Sequence, residues 1–407
     1  MTKDFFMKNA LLTELEQRGF IYQCSNLEGL NDALNAGPVT LYLGDDPTAD
    51  SLHVGHMVPK MMMRWFKKFG HNPITLAGGA TGRIGDPSDR DTGRPMMTEE
   101  VIAKNLAGLK KSAIKIIGDP NIIQVDNFDW HKNYSHLDFL REFGTDFTVP
   151  RMLSMESVKR RLETGMTFLE FNYMPLQAVD FYELYKRHNC VLQICGSDQW
   201  SNCLGGIDLI RKKTGAEAFV LSCPLITDSA GQKIGKSAGN AVWVNEDKTS
   251  PFEFYQYFRN VMDADVEKFL KLFTEIPLDE IAKLAKLQGA ELNDVKKRLA
   301  FETTKMIHGE AAAIDAQKMA ESLFSKDQGD LAPEKEIVFT PGMSLAELLM
   351  HSGLFESKSD LRRTIEQGGL SINDEKVTDI NDSNELNIGD SYLIQKGKKT
   401  FLKVIIK

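Results

Sequence analysis

The order of hydrophobic and polar positions predicts alternating strands and helices over the first half of the chain. Short apolar runs, which are typical of buried strands, occupy residues 39–44 (VTLYLG) and 190–196 (CVLQICG). Apolar positions recur at helical spacing over residues 57–70, and a second strand then runs from Asn72 into a glycine-rich loop. A strand, a helix and a strand in this order favour a parallel α/β sheet, which binds ligands at the carboxyl ends of its strands.

The pattern changes along the chain in a way that predicts several domains. An α/β domain is expected over residues 1–245, with a mainly helical segment at about 120–190. The pattern is helical over 246–325, where a separate α-helical domain is expected. Glycine, proline and charged residues at 326–342 are typical of a linker. Residues 343–407 combine helical segments with strand-like stretches and predict a small α+β domain.

Composition and charge narrow the class of protein. The chain has 407 residues, of which 42% are apolar and 26% charged, as in a globular protein of two or three domains. The net charge of −8 excludes an overall basic surface, so any nucleic-acid site must be a local patch. The first residues contain no apolar run long enough for a signal peptide or a membrane span. Five scattered cysteines without a CxxC pair predict reduced thiols in a cytoplasmic protein, with no disulfide framework and no structural zinc.

The stretch AGQKIGKSAGN (230–240) contains Gly-Lys-Ser, which also ends a phosphate-binding P-loop. A P-loop requires another glycine where Ala230 stands, and a helix after Ser237, where AGNAVWV is a poor helix start. A P-loop NTPase is therefore rejected. Lys233 and Lys236 could clamp a polyphosphate from a glycine-rich loop, although an ordinary solvated hairpin turn is the better explanation of the stretch when it is taken alone.

A second motif, HVGH, falls between the first strand and its helix. There His53 and His56 would lie beside a helix N-terminus, which attracts anionic phosphate. Gly55 has no side chain, so a planar base could lie against the backbone. The alternatives are two structural histidines or a metal pair, and the absence of a third ligand cluster in the sequence disfavours the metal.

Together, HVGH and KIGKS resemble the two signatures of class I aminoacyl-tRNA synthetases. Longer stretches are similar to bacterial-type tyrosyl-tRNA synthetases: TLYLGDDPTADSLHVGH, LAGGATGRIGDPS, FNYMPLQAVDF, QICGSDQW and KIGKSAGNAVW. SKSDLRRTIEQGGLSINDEKV resembles the S4-like RNA-binding module of that family. The resemblance implies a Rossmann-like parallel-sheet catalytic domain with a helical insertion, an α-helical anticodon-side domain and a small α+β S4-like domain. It also implies a homodimer whose contact lies in the insertion, where Phe139, Leu140, Phe143 and Phe147 offer apolar surface.

The chemistry that the resemblance implies has two steps and no covalent enzyme intermediate. The carboxylate of L-tyrosine attacks the α-phosphorus of ATP, giving tyrosyl-adenylate and pyrophosphate. A terminal ribose hydroxyl of tRNA(Tyr) then attacks the activated carbonyl. Mg²⁺ would accompany ATP as part of the substrate complex, held largely by the phosphates, and no prosthetic group is expected.

Matching positions assign the expected site residues. Contacts to ATP phosphates and pyrophosphate are expected from Thr48, His53, His56, Arg90, Arg94, Lys233, Lys236 and Ser237. Contacts to the adenylate are expected from Asp46, Gly55, Asp198 and Gln199. The tyrosine ammonium should meet Asp86, Tyr173 and Gln177, and the phenolic hydroxyl should meet Tyr42 and Asp180. Expected contacts to tRNA are Arg211, Lys212, Lys358, Arg362 and Arg363, with Lys396, Lys398, Lys399 and Lys403 as extensions of the last group.

Each assignment has a plainer alternative. Tyr173, Gln177 and Asp180 are spaced as an ordinary polar helix face, and the basic residues could be solvated surface charges. Leu43, Asp45 and Pro59 depart from the family pattern, with Pro59 expected in the first turn of its helix.

Two other functions are compatible with parts of the sequence. A tryptophanyl-type relative is disfavoured by Tyr42 and Asp180, because an indole has no phenolic hydroxyl. An RNA-binding scaffold without chemistry is disfavoured because HVGH, KIGKS, GSDQ and the tyrosine set are all intact.

Overall fold

The structure is a computed structural model that places most of the chain. It describes residues 8–88, 97–229, 231, 234, 236–237, 240–322, 334–338, 343–355, 357–373, 375–377, 379, 390–397 and 400–407. The chain divides into two compact units, Met1–Ala313 and Ile314–Lys407. None of the helices in these described ranges is long and apolar enough to cross a bilayer.

A largely parallel sheet lies at the centre of the first unit. Its strands are β1 (Gln23–Cys24), β2 (Thr40–Asp45), β3 (Asn72–Ala77), β4 (Ile123–Asp126), β5 (Cys190–Gly196) and β6 (Phe219–Cys223). They lie in the order β1-β6-β5-β2-β3-β4, and only β1 runs antiparallel to its neighbour within this described sheet. The chain leaves β2 towards β3 and later returns to β5 on the other side of β2. The carboxyl ends of β2 and β5 therefore flank the switch point where such sheets bind ligands. This confirms the predicted parallel α/β fold.

Helices cover both faces of the sheet and continue beyond it. They are α1 (Ala10–Arg18), α2 (Leu27–Ala36), α3 (Val54–Lys68), α4 (Thr81–Ile84), α5 (Glu99–Ile117), α6 (Phe128–His131), α7 (His136–Phe143), α8 (Val149–Leu153), α9 (Glu156–Thr164), α10 (Phe168–Phe171), α11 (Tyr173–His188), α12 (Trp200–Thr214), α13 (Pro251–Arg259), α14 (Val266–Phe273), α15 (Leu278–Leu284), α16 (Ala290–His308) and α17 (Glu310–Ser322). Short 3-10 helices occupy Gly144–Asp146, Ser197–Gln199 and Asp263–Asp265, and a hairpin joins β7 (Lys236–Ser237) to β8 (Asn240–Ala241).

Helix α3 begins earlier than the apolar pattern predicts, so the HVGH motif forms its first turn. His53 is the N-cap, and buried methionines at 57, 61, 62 and 63 hold the helix against the sheet. Pro59 consequently lies inside the helix, whereas the sequence predicts it in the first turn. It has no N–H to donate to the carbonyl of Gly55, four residues earlier.

Helices α13 to α16 belong to the same compact unit as the sheet. The buried guanidinium of Arg18 donates to the carbonyls of Lys271 at 3.1 Å, Thr274 at 3.2 Å and Ile276 at 2.8 Å. Arg64, on α3, donates to Glu275 at 2.9 Å. The predicted boundary at residue 246 therefore does not coincide with the division into compact units, because these contacts join α14 to α1 and α3.

The helical insertion exposes apolar side chains, although only partly those expected. Phe143 is fully buried against Tyr134 and Tyr182, and Phe139 and Phe147 are half-buried beside the same cluster. The large apolar side chains exposed on this segment are Ile123, Phe128, Leu137, Leu140, Val149, Leu153, Leu162, Phe168 and Leu169. Phe139, Phe143 and Phe147 thus pack within the insertion, and mainly leucines form its apolar surface.

The second unit is an α+β fold. It contains β9 (Glu334–Ile337), α18 (Leu345–Ser352), α19 (Lys358–Glu366), β10 (Leu370–Ile372), β11 (Glu375–Lys376), β12 (Ser391–Lys396) and β13 (Thr400–Ile406), with the sheet order β11-β10-β12-β13-β9. Strand β9 lies inside the segment predicted as a linker, which is a correction. It pairs in parallel with β13, and Ile337 joins the buried core of the unit, so these residues are part of the sheet.

Candidate active site

Asp46, just beyond the end of β2, connects the predicted adenylate and tyrosine sites. Its Oδ1 accepts a hydrogen bond from Thr81 Oγ1 at 2.7 Å, and its Oδ2 accepts one from the Tyr173 hydroxyl at 2.9 Å. The N–H of the exposed Thr48 donates to the Asp46 carbonyl at 2.8 Å. The glycine-rich loop after β3 lies directly against this group, since a Cβ on Gly78 would be 2.2 Å from Asp46 Oδ1. Close approach of the loop to Asp46 therefore requires glycine there.

Asp86 and Gln199 meet across the switch point. Gln199 Nε2 donates to Asp86 Oδ2 at 2.7 Å, while the N–H of Ser88 donates to Oδ1 at 2.8 Å. Asn202, which the sequence did not single out, donates to Gln199 Oε1 at 3.3 Å and to Ser88 Oγ at 3.1 Å. The first turn of α12 and the loop after α4 are thus joined by side-chain hydrogen bonds.

Tyr173, at the start of α11, lies among carboxylates. Burial raises the pKa of its phenol well above the usual value, with the charges of Asp46, Asp86 and Asp180 adding to the effect. Several negative groups around one buried position favour a bound cation. Gln177 Oε1, one turn further along α11, is buried without a partner in the described part of the chain, while its Nε2 donates to Cys203 Sγ at 3.6 Å. Of the predicted ammonium set, Asp86 thus lies close enough to Tyr173 to affect its phenol, and Gln177 follows Tyr173 one turn along the same helix.

Tyr42 and Asp180 lie at the deep end of the site. Both are almost fully buried, and the Tyr42 hydroxyl has no hydrogen-bond partner among the described residues. Burial raises the pKa of the Tyr42 phenol well above its usual value, and the nearby Asp180 contributes to the rise. The two side chains are not hydrogen-bonded to each other in this structure.

Asp180 accepts hydrogen bonds from a segment that sequence reasoning missed. Oδ1 accepts from Trp130 Nε1 at 2.9 Å and contacts His131 Nε2 at 2.8 Å, and Oδ2 accepts from Asn127 Nδ2 at 3.0 Å. These residues follow β4 in the stretch DNFDWH. The available signal was a polar run directly after a strand of the parallel sheet, the position at which ligand-binding residues concentrate.

The HVGH histidines hold the first turn of α3 together. His53 Nδ1 accepts from the Gly55 N–H at 3.0 Å, and His56 Nδ1 accepts from the His53 N–H at 3.3 Å. The two rings lie 3.9 Å apart. Burial and then the charge of Lys60 lower the pKa of His56 to about 4, so its ring is neutral at physiological pH. A neutral ring with an accepting Nδ1 carries its proton on Nε2, which makes it a hydrogen-bond donor.

The two signature motifs lie next to each other. A Cβ on Gly55 would be 3.0 Å from the carbonyl oxygen of Ile234 and 2.7 Å from His53 Cε1, so this approach requires glycine. Residues 236–237 form β7 of a hairpin, whereas a P-loop continues into a helix. Lys233, Arg90 and Arg94 lie outside the described residues, as do the side chains of Lys236 and Ser237.

Asp198 lies in the 3-10 turn that follows β5. A Cβ on Gly196 would be 2.5 Å from Asp198 Oδ1, so the carboxylate folds closely over the strand end. Asp198 and Asp46 thus follow the ends of the neighbouring parallel strands β5 and β2, the position at which such sheets bind ligands.

Asp45, one of the departures from the family pattern, forms a buried ion pair with Lys60. Lys60 is fully buried on α3, and its Nζ contacts Asp45 Oδ2, whose side chain is 17% exposed. Burial lowers the pKa of Lys60, and the Asp45 charge opposes that shift. The pair ties the end of β2 to the second turn of α3.

The basic residues predicted to contact tRNA differ in their hydrogen-bond and ion-pair partners within the protein. Arg211 is exposed and pairs with Asp208 at 2.8 Å, and Lys212 donates to the carbonyl of Asp146. In the second unit, α19 exposes three basic residues: Lys358, Arg362 and Arg363. Lys396 instead donates to the Leu354 carbonyl at 2.9 Å and to Asp360 at 2.7 Å, so its ammonium is used within the unit. Lys398 and Lys399 lie outside the described residues.

Comparisons with known proteins cover nearly the whole chain. A family model described as "tRNA synthetases class I (W and Y)" matches residues 34–325, and one described as "Tyrosine--tRNA ligase SYY-like C-terminal domain" matches residues 326–404. A curated tyrosine–tRNA ligase from Clostridium tetani (strain Massachusetts / E88) is 46% identical over 407 residues, which are 98% of this chain and 100% of the relative. Another, from Clostridium perfringens (strain 13 / Type A), is 47% identical over 98% of this chain and 100% of its own length.

Solved structures agree with this match. A C-terminally truncated mitochondrial tyrosyl-tRNA synthetase from Aspergillus nidulans is 31% identical, with a TM-score of 0.70 over 78% of this chain and 95% of that one. A tryptophanyl-tRNA synthetase from Encephalitozoon cuniculi, at 14% identity and a TM-score of 0.54 over 77% of this chain and 88% of its own, shares the fold alone.

Proposed function

Because the chain belongs to the tyrosine–tRNA ligases of the class I tRNA synthetases, we propose a specific path for its reaction. L-tyrosine is activated with ATP to tyrosyl-adenylate and pyrophosphate, and the tyrosyl group then passes to the 3′-terminal ribose of tRNA(Tyr). The protein is an ATP-dependent ligase. As an enzyme of protein synthesis, it is proposed to act in the cytoplasm.

The end of the site that would bind the phenol is proposed to determine the specificity for tyrosine. The buried Tyr42 hydroxyl has no partner in the part of the chain that the structure describes, and Asp180 is a buried carboxylate beside it. A phenolic hydroxyl can donate to the carboxylate and accept from Tyr42. Phenylalanine would leave the buried Tyr42 hydroxyl without a partner, at about 1–3 kcal/mol for a buried polar group, and would offer Asp180 no donor. An indole of tryptophan has no hydroxyl at all, which also opposes the tryptophanyl alternative.

The ammonium end of the site has the complementary charge. Asp86, Tyr173 and Gln177 are proposed to receive the ammonium of tyrosine, with the unpaired Gln177 Oε1 as one acceptor. Binding there would orient the substrate carboxylate towards the strand ends that carry Asp46 and Asp198. This orientation places the nucleophile and ATP in one site, and positioning of this kind supplies much of the rate enhancement of a two-substrate reaction.

ATP is proposed to lie over the N-terminus of α3. Nε2–H groups of His53 and His56 and the positive end of the helix would donate to the phosphates. Gly55 leaves room for the adenine against the backbone, and Asp198, with two carboxylate oxygens, would accept from the ribose hydroxyls. Gln199 would contact the substrate carboxyl group, and Thr48 the phosphates.

Mg²⁺ is proposed to enter with ATP and to neutralise phosphate charge. The described residues contain no group of three or more His, Cys, Asp or Glu side chains placed to hold a metal. Oxygen ligands from the phosphates themselves suit Mg²⁺, which keeps several of its waters.

The cationic loops are proposed to stabilise the departing pyrophosphate. Lys233, Lys236 and Ser237 belong to the KIGKS loop, and Arg90 and Arg94 to the loop after Asp86. The approach of the Ile234 carbonyl to Gly55 supports this role, because it brings the lysine loop to the helix end at which the phosphates would lie. Fixed cations near developing negative charge lower the barrier without a covalent intermediate.

Recognition of tRNA is proposed to use several parts of the chain. Residues 1–245 would form the catalytic domain, residues 246–325 the anticodon-side region, and residues 343–407 an S4-like module. Lys358, Arg362 and Arg363 on one exposed helix would contact phosphates of the RNA, and Arg211 and Lys212 the acceptor stem. Such contacts weaken as the salt concentration rises.

A homodimer is proposed, with its contact on the helical insertion. Exposed large apolar side chains there include Phe168, which is 72% exposed, and Leu137, which is 69% exposed. An apolar surface of several leucines and a phenylalanine on one segment is typical of a protein–protein contact. A second copy of the chain is the partner that the family resemblance implies.

ATP–pyrophosphate exchange with Mg²⁺ tests the proposed function. The reaction would be run with tyrosine, phenylalanine, tryptophan and no amino acid. Exchange that depends on tyrosine alone would support the proposal. Exchange with tryptophan or phenylalanine would contradict the role of Tyr42 and Asp180, and no exchange by a folded protein that still binds tRNA would favour a scaffold.

A further inference from the structure

His131 is the last residue of α6, and its side chain contacts Asp180 on α11 in the candidate active site. Its side chain is 6% exposed, and that of Asp180 is 3% exposed. The contact joins residues 49 positions apart, and its two atoms, His131 Nε2 and Asp180 Oδ1, are 2.8 Å apart. His131 is therefore a buried polar neighbour of the residue proposed to read the phenol.

The other contacts of Asp180 decide the direction of this hydrogen bond. Trp130 Nε1 at 2.9 Å and Asn127 Nδ2 at 3.0 Å are nitrogen atoms that only donate, so the Asp180 oxygens accept. An accepting Oδ1 requires His131 to carry its proton on Nε2. Asp180 is thus held by three donors from one short segment.

The remaining nitrogen of His131 indicates why a histidine stands at this position. Nδ1 is buried and has no hydrogen-bond partner among the described residues, which costs free energy. The ring otherwise packs beside Trp130 and Phe139, with centroid separations of 6.4 Å to each. An apolar side chain would fill that space without the cost of Nδ1, so the useful property of His131 is the hydrogen bond from Nε2.

We propose that His131 is a specificity-determining positioning residue, which acts by donating from Nε2 to the Asp180 carboxylate. With Trp130 on the same oxygen and Asn127 on the other, it holds the carboxylate in one orientation. A lone pair of Asp180 is then directed at the phenolic hydroxyl of the substrate. The inference rests on the proposed function, because it concerns the selection of tyrosine over phenylalanine.

The test compares variants of His131 in ATP–pyrophosphate exchange with the full-length protein. His131→Leu keeps a similar apolar volume and removes the donor. We expect kcat/KM for tyrosine to fall about tenfold, mainly through KM, while kcat/KM for phenylalanine changes about twofold or less. KM for ATP should stay within about twofold of its original value. His131→Gln, whose amide nitrogen can donate from a similar position, should restore most of the discrimination.

Tyr134→Phe is the matched control. Tyr134 donates its hydroxyl to Glu183 at 3.0 Å, which is a second hydrogen bond between the same segment and α11 that does not involve Asp180. If the segment merely needs anchoring, this variant should lose discrimination as His131→Leu does. The proposal expects the ratio of tyrosine to phenylalanine to remain unchanged in Tyr134→Phe.

Distinct outcomes separate this inference from the proposed function. Unaltered discrimination in a folded His131→Leu variant would overturn the inference, and so would equal losses in His131→Leu and Tyr134→Phe. If His131→Leu fails to fold, His131→Gln provides the test, because its amide nitrogen keeps the hydrogen-bond donor to Asp180. A His131→Gln variant that loses discrimination while its thermal stability and its KM for ATP stay at the wild-type values would also overturn the inference. Exchange by the unmodified protein that does not depend on tyrosine would instead overturn the proposed function.

Discussion

At the scale of single residues, the proposed tyrosine site contains buried polar atoms without partners among the described residues. The Tyr42 hydroxyl and Gln177 Oε1 both lack a hydrogen-bond partner in the described ranges. Each such atom costs about 1–3 kcal/mol when buried. A substrate that supplies the missing partners recovers this free energy on binding, so the free protein is prepared for a ligand with a hydroxyl at one end and an ammonium at the other.

The first prediction concerns the Tyr42 hydroxyl. Tyr42→Phe should lower kcat/KM for tyrosine by about 2- to 12-fold in pyrophosphate exchange, because one hydrogen bond of about 0.5–1.5 kcal/mol is lost. The free energy of unfolding in urea should not decrease, since the variant removes an unpaired buried hydroxyl. A loss of stability together with equal losses for tyrosine and phenylalanine would show that the ring, and not the hydroxyl, is what matters.

The second prediction concerns pH. Burial and the Lys60 charge lower the pKa of His56 to about 4, against 6.5 in an unperturbed histidine. Between these values the unfolded chain binds more protons than the folded protein, so the stability that a neutral His56 provides is lost as the pH falls. In His56→Asn, the amide oxygen can accept the same N–H of His53 but does not titrate. This variant should reduce the slope of the free energy of unfolding against pH by up to about 1.4 kcal/mol per pH unit.

Urea unfolding at about pH 7, 6 and 5 measures this slope for both proteins. The difference between the two slopes is the relevant quantity, because carboxylates that titrate at lower pH affect both proteins alike. Identical slopes would mean that His56 is protonated equally in the folded and unfolded states.

At the scale of elements, a buried ion pair replaces apolar packing between β2 and α3. Asp45 and Lys60 both stand close to the active site, one at the end of the strand and the other a turn after HVGH. Removing one member of such a pair leaves a desolvated charge, whereas replacing both with apolar groups is often neutral. The departure at Asp45 is therefore explained by its partner across the two elements.

The third prediction follows from that pair. Lys60→Met should lower the free energy of unfolding by up to about 3 kcal/mol, and the double variant Asp45→Leu with Lys60→Met should recover most of the loss. Lys67→Met is the matched control, because Lys67 also lies on α3 but its side chain, paired with Asp119, is 48% exposed. This substitution should change the free energy of unfolding by less than about 1 kcal/mol. A double variant as unstable as the single one would contradict the pairing argument.

At the scale of the whole molecule, the apolar surface of the insertion is the feature that association would use. Phe139, Phe143 and Phe147 pack within the insertion, whereas the leucines at 137, 140, 153, 162 and 169 lie at its surface with Val149 and Phe168. Burial of such a surface against a second copy stabilises association at about 25 cal/mol per Å².

The fourth prediction tests the proposed dimer. Leu137→Glu combined with Phe168→Glu should shift the mass measured by light scattering from twice 45.7 kDa towards 45.7 kDa, since two charges would be buried in the contact. Tyr22→Glu is the control, because Tyr22 is 63% exposed outside the insertion. An unchanged mass in the double variant would exclude this surface as the contact.

The sequence by itself determined the class of fold and the family, and it indicated the residues of the candidate site. Apolar runs and helical spacing are local properties, so they located β2, β3, β5 and the helices after residue 250. The motifs HVGH, GSDQ and KIGKS depend on glycine and polar residues at short spacing, and they identified the family.

Only the tertiary structure decided which distant residues meet. Asp180 contacts Asn127, Trp130 and His131 across about fifty positions, and Asp86 contacts Gln199 across 113. Strand β9 also depends on a distant part of the chain. Its segment has the composition of a linker, but it pairs in parallel with β13. Local propensity cannot encode such contacts, since they depend on how strand order brings separate loops together at one end of the sheet. The tyrosine set was predicted position by position, but the hydrogen bonds that hold it were decided by packing.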